Sequence, residues 1–288
     1  MKGDFQMKTH RFDKVCVIGL GEVGLPTAKY VSKLGLDVFG YDISIEAVRK
    51  AKKEGIKATI KWDEIPPVDV YIICVSTGLK ENTPDFTSIF DVSKKIKEKI
   101  DLSNQQTKPL VSIESTVVPG LSRRIFEDIF KQSCLLVHVP HRYWKEDPIK
   151  YGVKQLRVIG GIDKESLKVG VDFYQNFLGI PLYVVTPIEV AEMSKIAENA
   201  YRYVQIAFAE ELRMICEELG LNFEDVRRAC NTKWNIEILE ARDGIGGHCL
   251  PKDIRYLITL SKHNVLLKSA ITVDNQYREW LKGRTNKK

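Results

Sequence analysis

The first strand-like run of the chain, Lys14–Leu20, opens directly into the turn Gly19-Leu20-Gly21-Glu22-Val23-Gly24, and a helical pattern follows at once. A continuous apolar, β-branched run is what a strand buried on both faces requires. A glycine turn between such a strand and a helix is the start of a βαβ unit, whose parallel strands need a helical crossover. The alternation continues for most of the chain. Strand-like runs recur at 37–41, 68–75, 109–113, 135–139, 156–159 and 182–185, and helical spacing at 26–34, 44–54, 87–100, 121–131 and 164–178. The pattern predicts an α/β fold with a doubly wound, Rossmann-like parallel sheet covered by helices on both faces.

The texture changes after Thr186-Pro187. Residues 188–219 hold neither Pro nor Gly, and their apolar residues occupy more than one stripe, until Gly220 stops the helix. Shorter helices are expected at 223–230, 252–262 and 266–282. The organisation read from this is a flexible tail at 1–10, a dinucleotide-binding domain at 11–185 and an all-helical domain with a long central helix at 186–288. A helix of that length with apolar residues on several sides predicts a homodimer interface along 188–219; a buried central helix within one subunit is the competing reading.

Composition excludes several classes. The chain has 288 residues, 44% of them hydrophobic, and a formal charge of +6 without a clustered basic stripe, so no nucleic-acid partner is expected. No run approaches the ~18 apolar residues of a membrane span. The six cysteines form no CxxC pair, and Cys16, Cys74, Cys216 and Cys230 lie in apolar strand or helix patterns. Buried free thiols point to a reducing, cytoplasmic setting, and no metal site is expected.

In the glycine turn the first Gly permits the tight bend, the second lets backbone approach a pyrophosphate, and the third lets strand and helix pack closely. The helix N-terminus behind it favours anions. Gly19, Gly21, Glu22, Val23 and Gly24 are the expected cofactor contacts. Asp42 ends the second strand, 21 residues after Gly21. A carboxylate there accepts from a ribose hydroxyl and repels a 2′-phosphate, which favours NAD over NADP.

Three further segments narrow the reading. They are Ser115-Thr116-Val117-Val118-Pro119-Gly120, then Ala191-Glu192-Met193-Ser194-Lys195-Ile196-Ala197-Glu198-Asn199-Ala200-Tyr201-Arg202, then Gly244-Ile245-Gly246-Gly247-His248-Cys249-Leu250-Pro251-Lys252-Asp253. With the opening GLGEVGLP they resemble the UDP-glucose, UDP-N-acetylmannosamine and GDP-mannose 6-dehydrogenase family, over roughly residues 14–282. The resemblance implies oxidation of a sugar CH2OH to a carboxylate by two hydride transfers to NAD, with Cys249 holding the aldehyde as a thiohemiacetal and then a thioester. The residue types suit that chemistry. Cys249 follows two glycines on the approach to a helix, where the dipole favours a thiolate. Lys195 and Asn199 share one helical face and can hold a developing oxyanion. The family pattern gives Asp253 a role in water orientation or proton transfer, places Thr116 near the nicotinamide, and puts a threonine where Thr77 stands. That family threonine lies between two prolines; here the flanks are Ser76 and Gly78.

The resemblance breaks in two places. At His138-Val139-Pro140-His141-Arg142-Tyr143-Trp144-Lys145-Glu146-Asp147, the UDP-glucose branch reads NPEFLREG, ending in an acid/base Glu, and the N-acetylhexosamine branch reads closer to PER. Pro140 and Arg142 are kept, but His141 and Lys145 replace the two glutamates and Glu146 falls one place late. His141 or Glu146 then acts as base, or thioester hydrolysis is impaired. His141, Arg142, Trp144 and Lys252 are the candidate substrate contacts. The chain also stops soon after Trp280, where family members continue into a nucleotide-gripping domain. Expected consequences are a substrate other than a nucleotide sugar, a separate protein completing the site, or low affinity. Two other functions stay open: a two-electron β-hydroxyacid dehydrogenase, which gives Cys249 no task, and a catalytically silent NAD-binding subunit.

Overall fold

A computed structural model describes residues 12–103 and 105–285, so the tail expected over residues 1–10 lies outside the described residues. The chain forms two compact units: the first runs to Thr77 and resumes over Asp85–Ser194, and the second comprises Gly78–Pro84 and the chain from Lys195 onward.

The first unit is built on one sheet. Its elements in chain order are β1 (Lys14–Ile18), α1 (Gly24–Lys33), β2 (Asp37–Tyr41), α2 (Ile45–Lys53), β3 (Lys57–Thr59) and β4 (Val70–Ile73). The short strands β5 (Gly78–Lys80) and β6 (Thr83–Asp85) pair with each other. Then come α3 (Thr87–Leu102), β7 (Leu110–Ile113), α4 (Leu121–Ile125, continued by a π-helical turn Phe126–Phe130), β8 (Leu135–His138), β9 (Arg157–Gly161), α5 (Lys164–Val171, continued by a π-helical turn Asp172–Phe177) and β10 (Leu182–Val185). The eight-stranded sheet has the order β10-β9-β8-β7-β4-β1-β2-β3.

The predicted strands all form, and β4, β7 and β8 are buried along their whole length, which is why they read as unbroken apolar runs. Val15, Val17, Val70, Ile72, Leu110 and Val137 join Ala28 and Val31 of α1 in one core. Pairing is parallel from β3 through β8, but β9 runs antiparallel to β8. The cause is local. Residues 139–156 hold no helix to carry the chain across the sheet, and a parallel pair requires such a crossover. β3, with three residues, is too short to show a period.

The hairpin β5–β6 was not legible either. Its turn places Glu81 and Asn82 at φ 51° and 63°, the backbone of a type I′ turn, without the Asn-Gly or Asp-Gly pair that advertises one.

The remaining helices are α6 (Ile188–Glu218), α7 (Phe223–Cys230), α8 (Cys249–Leu260) and α9 (Val265–Thr285). The first turn of α6 belongs to the first unit because Gly160 lets it approach: a Cβ there would lie 2.9 Å from Ile188 Cα. Gly220 ends α6 at φ 68°, and the Leu221 amide reaches back to Cys216 O at 2.8 Å, closing the helix as a left-handed cap does. The second unit packs Ala200, Tyr203 and Ala207 of α6 against Ile245, Ile254 of α8 and Ala270 of α9.

Glu210 stands out in this helical unit. It is fully buried, and among the described residues neither carboxyl oxygen has a hydrogen-bond partner. Burial, then the neighbouring Asp274 charge, push its pKa up to about 8, against the pull of Arg278. The unfolded carboxyl titrates near 4.5, so between these values the folded state holds a proton the unfolded state has lost, and stability declines as pH rises through that window. Glu210→Met removes the titrating group. In denaturant titrations at pH 5 and pH 9 the variant should gain stability over the wild type chiefly at pH 9; parallel pH dependence of the two proteins would contradict this account.

Candidate active-site residues

The glycine turn meets the geometric demands of a dinucleotide loop. Gly19 has φ 88°, and a Cβ there would lie 2.7 Å from Cys74 O on the neighbouring strand end. A Cβ on Gly24 would lie 1.7 Å from Gly19 O. Gly21 differs: a Cβ there would meet nothing within 4 Å. Two glycines therefore serve the fold, and the middle one keeps an open backbone face. Val23 caps α1 without a side-chain hydrogen bond, which leaves the helix end to backbone N–H groups. Glu22 is exposed and pairs with Lys145 at 3.2 Å. A pyrophosphate on this turn fits the residues present.

Asp42 supports the turn as well as facing it. Its Oδ2 accepts from the Leu20 amide at 2.7 Å, and its Oδ1 accepts from the Ser44 amide at 2.8 Å. Each carboxylate oxygen can accept a second bond, so the ribose role remains compatible with this local one.

The Ser115–Gly120 loop is held at both ends. Ser115 Oγ donates to Val75 O at 2.7 Å, and Thr77 Oγ1 donates to Thr116 O at 3.1 Å. At the far end Gly120 turns at φ 90°, and the fully buried Glu192 accepts from the Gly120 and Ser122 amides at 2.6 and 2.8 Å. Sequence reasoning assigned Glu192 no part. Its partners are backbone amides some seventy residues away, and nothing in a sequence marks such a pair.

The departing segment 138–147 is shaped by a buried charge cluster. Glu114 meets Arg157 at 2.9 Å, and both side chains are fully buried. Tyr174 OH donates to Glu114 at 2.7 Å, and His141 Nε2 lies 3.2 Å from its other oxygen and 3.1 Å from Thr27 Oγ1. Burial pushes the Glu114 carboxyl up, but Arg157 and then His141 more than offset it and hold it at about 2. His141 is thus part of a buried network, not an exposed base in the position of the family glutamate. Arg142 Nη1 donates to Leu156 O at 3.1 Å. Glu146 is exposed, and Trp144 is half-exposed with its ring tilted 5.5 Å from Tyr151. His138 is fully buried, and burial lowers its pKa to about 3, so the ring is neutral.

In the second unit Asn199 and Lys252 meet at Asp253, which is fully buried. Asn199 Nδ2 on α6 donates to Asp253 Oδ2 at 2.5 Å, and Lys252 Nζ lies 2.6 Å from Asp253 Oδ1. Lys252 is itself buried and sits 4.3 Å over the Tyr256 ring. That places Lys252 beside the carboxylate, not on an open surface expected of a substrate contact. Lys195 lies one turn before Asn199 on α6 and is half-buried. Cys249 is the first residue of α8, one turn before Asp253, and no side chain caps that helix end. Of the six cysteines, Cys249 is the exposed one; Cys74 and Cys230 are partly buried and the other three buried. Burial pushes the Cys16, Cys74 and Cys134 thiols up.

Residues 52–178 match the family model for the UDP-glucose/GDP-mannose dehydrogenase family, NAD binding domain, and residues 189–276 match the central domain of the same family. A UDP-N-acetyl-D-mannosamine dehydrogenase of Methanocaldococcus jannaschii is 33% identical over 279 residues, covering 89% of this chain and 64% of that protein. The chain thus spans a little under two-thirds of the length of such curated relatives. The solved UDP-D-ManNAc dehydrogenase of Pyrococcus horikoshii superposes with a TM-score of 0.85 at 27% identity, over 94% of this chain and 70% of that one. A 3-hydroxyisobutyrate dehydrogenase of Mycobacterium tuberculosis shares the fold at 15% identity, with a TM-score of 0.71 over 94% of each chain. By the two domain matches, which lie end to end on the same two-part architecture, this chain belongs to the UDP-glucose/GDP-mannose dehydrogenase family.

Proposed function

We propose that the protein oxidises the primary alcohol of a nucleotide sugar to a carboxylate with NAD, using Cys249 as a covalent nucleophile. The observation that carries this reading is the exposed thiol at the start of α8, one turn from a buried carboxylate that is bonded to Asn199. Bound at the glycine turn, NAD would accept a hydride in each of two oxidations. Lys195 and Asn199 would hold the substrate oxygen as it gains negative charge. Cys249 Sγ would then add to the aldehyde carbon, forming a C–S bond and keeping the aldehyde from escaping. After the second oxidation that adduct is a thioester. Water attacks its carbonyl carbon, the C–S bond breaks, and the carboxylate leaves with the thiol restored. Asp253, held by Asn199 and Lys252, is suited to orient that water.

The substrate class we favour is a UDP-N-acetylhexosamine. Support comes from the relatives, which are named UDP-N-acetyl-D-mannosamine dehydrogenases in several organisms. The shared fold with 3-hydroxyisobutyrate dehydrogenase keeps a single two-electron oxidation as the second reading, but that reaction leaves Cys249 idle.

We also infer a homodimer through α6. Tyr201, Phe208 and Ile215 are 65%, 54% and 46% exposed and recur every seven residues, a spacing that lines one side of a helix for a facing helix. Among the described residues no helix is long and apolar enough to cross a membrane.

Three measurements test these readings. Incubated with NAD and UDP-N-acetyl-D-mannosamine, the wild type should carry a sugar-mass adduct on Cys249 by mass spectrometry, and Cys249→Ser should carry no thioester. An equal adduct without the sulfur would remove the nucleophile assignment. Asp42→Ala should weaken NAD binding about tenfold, the effect of ~1.4 kcal/mol, and narrow the preference over NADP; unchanged calorimetric affinity would contradict the role of Asp42. Phe208→Glu should sediment as a monomer where the wild type sediments as a dimer, and a wild-type monomer would exclude the interface.

A further inference from the structure

Cys249 stands at the end of a stretch that cannot anchor itself. Gly246, Gly247 and His248 are exposed, and Gly247 takes φ 81°. The last firmly held residue before the thiol is Ile245, which is 2% exposed. Its amide donates to Asp274 Oδ1 at 2.8 Å, and its carbonyl accepts from Arg278 Nη2 at 2.7 Å. Both backbone groups of one residue are therefore held by a single pair from α9. The pair is itself tied, because Arg278 Nε lies 3.0 and 3.2 Å from the two Asp274 oxygens. Asp274 is buried, and Tyr203 OH completes its shell by donating to Oδ2 at 3.0 Å. Gly244 makes the approach possible: its φ is 92°, and a Cβ there would lie 2.8 Å from Arg278 Cζ.

Tyr203 lies one helical turn after Asn199 on α6. Asn199 bonds Asp253, one turn beyond Cys249, and Tyr203 bonds Asp274, which holds the chain four residues before it. Two successive turns of one helix thus bracket the nucleophile from both sides. The charge on Asp274 suits this task. A buried carboxylate accepts from amide, guanidinium and hydroxyl at once, which a neutral side chain of that size cannot reproduce.

We propose that Asp274, with Arg278, is the positioning group of the nucleophile loop: it sets the register of Gly244–Cys249 so that the thiol is presented at the start of α8. The proposal rests on the reading of Cys249 as nucleophile for its effect on the reaction, but the clamp itself can be measured without any reaction. Removing a hydrogen-bonded partner from a buried backbone group costs enough to loosen the loop by at least about tenfold, which corresponds to ~1.4 kcal/mol.

The test compares the full wild-type chain with Asp274→Ala, Asp274→Asn and Arg278→Lys. Lysine keeps a positive charge but not the fork that reaches both Asp274 and Ile245 O, and it is the milder variant should the alanine change unfold the helical unit. Hydrogen exchange at the Ile245 amide should speed up at least about tenfold in Asp274→Ala and Arg278→Lys, with exchange in the β-sheet unit unchanged. Adduct formation on Cys249 with NAD and UDP-N-acetyl-D-mannosamine should slow by a similar factor, while the dissociation constant for NAD stays the same. Asp274→Asn, which retains an acceptor for the Ile245 amide, should recover part of both losses. Unchanged exchange overturns the clamp. Unchanged adduct rate in variants whose loop exchanges faster overturns its positioning role. A wild type that forms no adduct overturns the functional reading instead, and the exchange rates then decide the clamp alone.

Discussion

The hydrogen bond from Asn199 to the buried Asp253 carboxylate joins the long helix α6 to the helix that begins with Cys249. Asp253 is fully buried, so its charge must be met within the protein: Asn199 Nδ2 donates to Oδ2, and Lys252 Nζ lies 2.6 Å from Oδ1 without hydrogen-bond geometry. Lys252 neighbours Asp253 on α8, so the bond that crosses between the helices is the one from the neutral Asn199 amide, and a hydrogen bond to a charged group is worth about 1.5–3 kcal/mol. That bond adds a directional constraint to the apolar packing among Ala200, Ile254 and Ala270. Cys249 and Asp253 lie one turn apart at the start of α8, and the bond to Asn199 ties that end of the helix to α6.

The same logic operates in the sheet unit at Glu114, where Arg157, Tyr174 and His141 converge on one carboxylate. This explains the departure at His141. The family pattern places a glutamate there, but a second carboxylate beside the fully buried Glu114 would repel it. An imidazole within reach of Glu114 and Thr27 does not. The substitution fits its surroundings electrostatically.

Much of this was legible in the sequence. Strands buried on both faces announce themselves as apolar runs, and the GxGxxG turn gave the first crossover. The spacing of Lys195 with Asn199 placed that pair one helical turn apart; the helix expected at 252–262 begins instead at Cys249, which sets Asp253 one turn beyond the thiol, and the structure adds the bond from Asn199 to Asp253. What stayed hidden has two causes. The amide partners of Glu192 and the Asp274–Arg278 grip on Ile245 depend on contacts between residues distant in sequence, and the antiparallel entry of β9 follows a connection with no helix, whose course no periodic pattern marks. A carboxylate that satisfies backbone amides looks, in sequence, like any surface glutamate or aspartate. Glycine was the partial exception: Gly244 marks a close approach, though not what approaches it.

In the proposed reaction Cys249 keeps one substrate bound through two successive oxidations. The most direct measurement is the amount of NADH formed per UDP-N-acetyl-D-mannosamine consumed, followed to completion with NAD in excess. Two equivalents, with the acid as product, are what a covalent thiol intermediate predicts. One equivalent with a released carbonyl product would contradict it and leave a two-electron dehydrogenase on the same fold.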